Sequence, residues 1–123
     1  MKIVIDQRND SKVAIVHSEA IIINNVNDAL DLMADVHYNN GCSKMILREE
    51  QLTGDFFELR TRLAGEILQK YTNYKMKLAI VGDFSGVTSK SLKDFIYECN
   101  QGDNVLFKPT EAEALDRLHR IAI

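Results

Sequence analysis

Tryptophan is absent from this chain, proline occurs once, at Pro109, and the 123 residues hold two cysteines, Cys42 and Cys99. The cysteines are far apart and lack the Cys-x-x-Cys or Cys/His spacing of a zinc site. They read as two buried thiols in a reducing compartment rather than as a disulfide. Long apolar runs are missing too. Only Ile3, Val4 and Ile5 stand between Lys2 and Asp6, which is too little for a signal-peptide core, and no stretch of twenty apolar residues follows. The expected location is the cytoplasm, with no membrane association. Nor is there an excess of positive charge: 15 Lys and Arg face 18 Asp and Glu, for a formal net charge of −3, and no basic run marks a nucleic-acid partner.

What remains is an ordinary globular composition, 46% hydrophobic and 27% charged. A chain of this length buries roughly two-thirds of its unfolded surface without a metal or disulfide. No Pro-, Ser- or Gly-rich linker and no repeat divides it, so residues 1–123 are expected to form a single domain.

Ile3 to Asp6 and Val13 to His17 are short and β-branched, and Asn9, Asp10 and Ser11 separate them. That pattern predicts an antiparallel hairpin. Ala20 to Ile23 is either a short strand or an extended lead into a helix. The spacing of Val26, Ala29, Leu30, Met33 and Val36 predicts a helix from Val26 to Asn39, capped by Asn25 and stopped at Asn40-Gly41. Lys44 to Arg48 carries the continuous apolar run of a strand covered on both faces.

Phe56, Leu59, Leu63, Ile67, Leu68 and Tyr71 keep helical spacing, which predicts a long helix from Thr53 to Tyr71. Thr53 is its expected N-cap, Leu52 and Phe57 a hydrophobic staple, and Gly65 a point of close packing. A strand at Lys77 to Val81 leads to Gly82-Asp83-Phe84-Ser85-Gly86, then to a helix capped by Thr88 with Leu92, Phe95, Ile96 and Cys99 inward. The strand Val105 to Phe107 and a last helix with a Thr110/Glu113 capping box complete the order. A hairpin followed by alternating helices and strands predicts an α/β fold: a small mixed sheet, antiparallel at first and then parallel, with helices packed on it.

In such sheets the loops after the strand C-termini gather free N–H groups and helix dipoles. Three loops qualify here, and they supply the candidate binding or regulatory residues Glu49, Glu50, Thr53, Asp83, Ser85, Thr88 and Ser89, with Lys108 nearby. Gly82 and Gly86 do not have P-loop spacing, no dinucleotide fingerprint occurs, and Ser85 lacks a nucleophile elbow. Turn chemistry and helix capping explain that loop more simply than a nucleotide site. Glu49 and Glu50, adjacent on an extended chain, should point apart. His17, His37 and His119 fall in separate elements without metal-ligand spacing, and a helix dipole accounts for His119. No cofactor and no catalytic residue is implied.

The block LREEQLTGDFFELRTRLAGEILQKYTNYKMKLAIVGDFSGVTSKSLKDFIYECNQG, Leu47 to Gly102, resembles the core of the bacterial family labelled domain of unknown function 4180. The resemblance extends over almost the whole chain. It implies an architecture similar to the sulphate-transporter and anti-sigma-factor antagonist (STAS) domain, in which phosphorylation of a Ser or Thr at a helix N-terminus alters partner binding. Thr53 occupies the matching position, although the local sequence Glu49-Glu50-Gln51-Leu52-Thr53-Gly54 lacks the Asp-Ser-x-Gly pattern and its two acids would repel a phosphate.

The expected function is a non-enzymatic regulatory or binding module with a protein partner. The alternative is a small-molecule or anion-binding protein, or small enzyme, that uses the 82–89 loop, with Glu49 as a base. A homodimer is a third reading, suggested by Phe56, Phe57, Tyr71 and Tyr74, although core packing already explains most of these residues.

Overall fold

The computed structural model describes residues 1–122. Strands β1 (Lys2–Arg8) and β2 (Ser11–His17) form the antiparallel hairpin, turning at Asn9, whose φ of 54° suits an Asn side chain. Helix α1 (Val26–Ala34) is capped by Asn25, which accepts from the Asp28 N–H at 2.8 Å, and continues as a π-helical turn over Asp35–Asn39. Gly41, at φ 65°, then provides the left-handed exit. Strands β3 (Lys44–Arg48), β4 (Lys77–Val81) and β5 (Val105–Lys108) alternate with helices α2 (Leu63–Asn73) and α3 (Lys90–Gln101), and α4 (Glu111–His119) follows. The Ala20 to Ile23 segment is the extended lead, touching the sheet through a single parallel bridge from Ile23 to Leu52.

The five strands lie in the order β1-β2-β3-β4-β5, parallel from β2 onward. Because this order never reverses, right-handed crossovers place successive helices on one face. That face collects Ala14, Val16, Met45, Leu47, Leu78, Ile80, Val105 and Phe107 against α1, α2 and the inner stripe of α3. The alternate residues, Val13, Ile15, Ile46, Ala79, Val81 and Leu106, pack under Ala114, Leu118 and Ile121 at the α4 end. Two covered faces are why these strands read as unbroken apolar runs. Between α1 and α2, the buried Tyr71 hydroxyl donates to the Ala29 carbonyl at 2.7 Å, and burial pushes its acidity well below that of an ordinary phenol.

Two helix expectations are corrected. Residues 49–61 form three short 3₁₀ turns, and α2 starts only at Leu63. Arg62 stands between at φ 66°, a left-handed conformation that no continuous α-helix contains. Thr61 secures the break: its hydroxyl lies 2.7 Å from the Asp55 carbonyl and 2.8 Å from that of Glu58, and its oxygen accepts from the Leu63 N–H at 3.3 Å. Thr53 therefore caps nothing, and the Leu52/Phe57 staple has no helix to fix. Helix α3 begins at Lys90 with Ser89, not Thr88, as its N-cap. At α4 the Thr110 oxygen accepts from the Glu113 N–H at 3.2 Å, as expected of a cap.

Gly65 is not a packing point either: a methyl group there would meet nothing within 4 Å. Gly65→Ala is accordingly expected to stabilise the protein by about 1 kcal/mol, through the helix propensity of α2 alone. A urea titration that shows no gain would mean that α2 needs the glycine for a reason other than space.

Both cysteines are free thiols, Cys42 buried and Cys99 only half-buried. Burial raises both, and with help from Glu98 it pushes Cys99 up to about 11.

Candidate functional site

The β3–α2 and β4–α3 loops meet at the C-terminal edge of the parallel strands. Glu49 and Glu50 occupy a 3₁₀ turn rather than extended chain, yet they still diverge. Glu50 turns outward to Arg48, whereas Glu49 lies across Gly82 and its Oε1 accepts from the Asp83 N–H at 3.3 Å. Only glycine permits this approach, since a Cβ at position 82 would fall 2.6 Å from the Glu49 carboxyl carbon. Asp83 in turn accepts from Ser85 twice through Oδ1, from the hydroxyl at 2.6 Å and the N–H at 3.0 Å. These two bonds hold the Asp83 carboxyl below the usual carboxylate range.

Four loop N–H groups are thereby engaged within the chain. Gly82 donates to the Lys108 carbonyl, Asp83 to Glu49, Ser85 to Asp83, and Val87 to the Phe84 carbonyl. Phe84 anchors the same loop from below, packing edge-on against Phe107 at 5.2 Å and tilted against Phe57 at 6.1 Å. Phe56 extends this aromatic row from Phe57, and Phe95 from Phe107, so all five phenylalanines of the chain take part.

The remaining candidates are placed less closely. Thr53 is half-buried, and its backbone binds Ile23 and Phe56, which ties it to the lead into α1 rather than to the 82–89 loop. Thr88 is exposed, and the Ser89 hydroxyl is used in capping α3. Lys90, at the start of that helix, pairs with Asp94 one turn on. The structure thus joins Glu49, Asp83 and Ser85 and leaves Glu50, Thr53, Thr88 and Ser89 around them.

A second polar cluster stands at the opposite edge, and the helix-dipole account of His119 gives way to it. The His119 side chain is 5% exposed. Its Nδ1 is 2.7 Å from the Ser11 Oγ and its Nε2 is 2.7 Å from Asp6 Oδ2. Lys44, itself buried, donates to the Ser11 Oγ at 2.9 Å and to the Ile121 carbonyl at 2.6 Å. Burial first, then the neighbouring Lys77, lowers the pKa of its ammonium. Arg8 joins the outer side, bound to Asp116 at 2.7 Å and 3.7 Å from Asp6. Ser11 and His119 are 108 positions apart, so no local spacing could announce the cluster. The one legible sign is Lys44, a charged residue placed directly before the apolar run Met45, Ile46 and Leu47.

No helix among the described residues is long and apolar enough to cross a membrane. No curated protein matches the chain. Among solved structures, it is similar to a candidate anti-sigma factor antagonist from Thermotoga maritima, at 17% identity and a TM-score of 0.48, over 96% of this chain and 95% of that one. The sequence profile of the domain of unknown function DUF4180 matches residues 8–118, nearly the full length. The chain belongs to that family.

Proposed function

We propose that the chain is a regulatory module that binds a protein partner through the acidic loop edge formed by Glu49, Asp83 and Ser85, with Glu50, Thr53, Thr88 and Ser89 at its margin. The carrying observation is that this edge is set before any partner arrives: Glu49 is locked over Gly82, Asp83 is locked by Ser85, and Phe84 is seated in the aromatic row. Preorganised polar groups lose little freedom on binding. Carboxylates dominate the edge, so the complementary surface carries Lys or Arg. This reading takes the chain as one folding unit acting inside the cell.

The alternative, an anion cradle in the 82–89 loop, has less support. Four of the N–H groups that would hold an anion are already satisfied, two of them by side-chain carboxylates. The strand order also does not reverse, and it is a reversal that opens a ligand crevice at this edge of a parallel sheet. Ser85 donates to Asp83, whose carboxyl is held below the usual carboxylate range and is a correspondingly weak base for activating a hydroxyl.

The test is affinity capture with the full chain and with Glu49→Lys/Asp83→Lys, both checked for folding by circular dichroism. A partner retained by the first and lost by the second is expected, and equal capture by both would sink the assignment. Gly82→Ala is a finer probe. It must push the flexible end of Glu49 aside while leaving the backbone in place, so it should weaken capture about tenfold, the loss of one charge-assisted contact, with little change in thermal stability.

A further inference from the structure

We infer that Ser11 is an acyl-accepting nucleophile and that Ser11, His119 and Lys44 form a site for small carboxylic esters at the edge opposite the binding loops. The inference is independent of the binding reading. It rests on the chemistry of the hydrogen bonds. An ionised Asp6 only accepts, so the proton between it and His119 sits on Nε2. In the neutral ring Nδ1 is then a bare acceptor, and the Ser11 hydroxyl, 2.7 Å away, donates to it. The Lys44 ammonium only donates, so its 2.9 Å contact ends on the remaining lone pairs of the Ser11 oxygen. A nucleophile, a base within hydrogen-bond reach and a third group that orients the base are thus assembled.

Burial sharpens this arrangement. The imidazole is almost wholly removed from water and Lys44 is buried, but Ser11 is only half-buried. It forms part of the wall of a pocket of about 410 Å3, with Arg8, Asn9, Asp10, Lys44 and Arg120 also lining it. That volume admits a small ester, and the exposed Arg120 favours one with an anionic substituent.

The Ser11 oxygen bonds to the acyl carbon while its proton passes to His119 Nδ1. Lys44, whose ammonium lies 2.9 Å from the Ser11 oxygen, supplies positive charge beside the developing oxyanion. The bond from the acyl carbon to the alkoxide then breaks, and the alcohol leaves with the proton from His119. Water adds to the acyl-Ser11 ester and gives a proton to His119. Ser11 recovers that proton as the carboxylic acid departs. Asp6 is a positioning residue, acting through the ring it orients.

The full chain is treated with a fluorophosphonate reagent, its mass is measured, and the adduct is mapped by peptide analysis. One adduct on Ser11 is expected, absent in Ser11→Ala and formed about 100-fold more slowly in His119→Gln. Asp6→Asn should slow labelling of the folded protein by at least about tenfold, because an amide no longer fixes the tautomer that leaves Nδ1 bare, whereas a purely structural Asp6 would change stability and leave that rate unchanged. Hydrolysis of 4-nitrophenyl acetate should follow the same pattern. No adduct, an adduct elsewhere, or Ser11 labelling that is equally fast in His119→Gln and Asp6→Asn would overturn the inference and leave the cluster as a clasp between hairpin and last helix. Asp6→Asn decides even if His119→Gln fails to fold.

Discussion

Phe107→Ala is expected to lower the unfolding free energy by about 3–5 kcal/mol, the usual cost of emptying a buried phenylalanine site. Phe107 is 3% exposed and sits where β5 passes beneath both Phe84 and Phe95. Its loss therefore removes core volume and the seat of the 82–89 loop together. Phe84→Ala separates the two effects. Phe84 is only half-buried, so its truncation should cost about 1–2 kcal/mol globally while releasing the loop to the same extent. Urea titrations measure the global term, and amide hydrogen exchange at residues 82–89 measures the local one. If Phe84→Ala leaves the exchange of those amides unchanged, the hydrogen bonds of Asp83 and Ser85 hold the loop without the aromatic row.

The parts of this fold that are legible in the sequence are those where one local signal has one physical meaning. Lys44 to Arg48 and Lys77 to Val81 are strands with the expected bounds, because continuous short apolar runs fit a sheet covered on both faces. Asn25 and Thr110 cap their helices because their side chains reach an N–H three residues ahead whatever lies elsewhere. Position-by-position periodicity fails over 53–62. Phe56, Leu59 and Leu63 recur at helical intervals, but a succession of 3₁₀ turns also returns a residue to the same side every three positions. The left-handed Arg62 carries no Gly or Asn signal to mark it.

The loop edge is half legible. Strand order places Glu49 and Asp83 on the same edge, but the seating of Glu49 on Gly82 is a tertiary contact between residues more than thirty positions apart. Sequence explains why glycine is tolerated at position 82, and only the fold explains why it is needed. For the Ser11–His119–Asp6 cluster the sequence offers little beyond Lys44, since the hairpin and the last helix come from opposite ends of the chain.

Gln51→Glu tests how the proposed binding edge is held from its other side. Gln51 is 1% exposed. Its Nε2 donates to the Val16 carbonyl at 3.0 Å and lies 3.4 Å from that of Ser18, while its Oε1 accepts from the Arg48 N–H at 2.9 Å. Its own carbonyl accepts from Ile22 and Ile23, so one residue joins the end of β2, the lead into α1 and the turn that carries Glu49. Glutamate replaces the donating amide with an oxygen facing two carbonyls. At neutral pH that buries an unpaired charge against acceptors, and a loss of about 3 kcal/mol or more is expected.

The pH dependence fixes the interpretation. A carboxyl in this place is harder to ionise in the folded state than in the unfolded chain, where it titrates near pH ~4.3. The folded state of the variant therefore binds the extra proton more tightly. Its stability relative to wild type should fall as pH rises above that value and recover as pH drops, when the protonated oxygen can donate to the Val16 carbonyl. Gln51→Met is the control. It leaves both the Val16 carbonyl and the Arg48 N–H without their side-chain partner, at about 1–3 kcal/mol, but adds no titrating group, so its deficit should not vary with pH. Denaturant titrations of the three proteins at pH 5 and pH 8 give the comparison. Parallel deficits for Glu and Met at both pH values would show that water reaches position 51, and the turn carrying Glu49 would then be less rigid than a preformed binding edge requires.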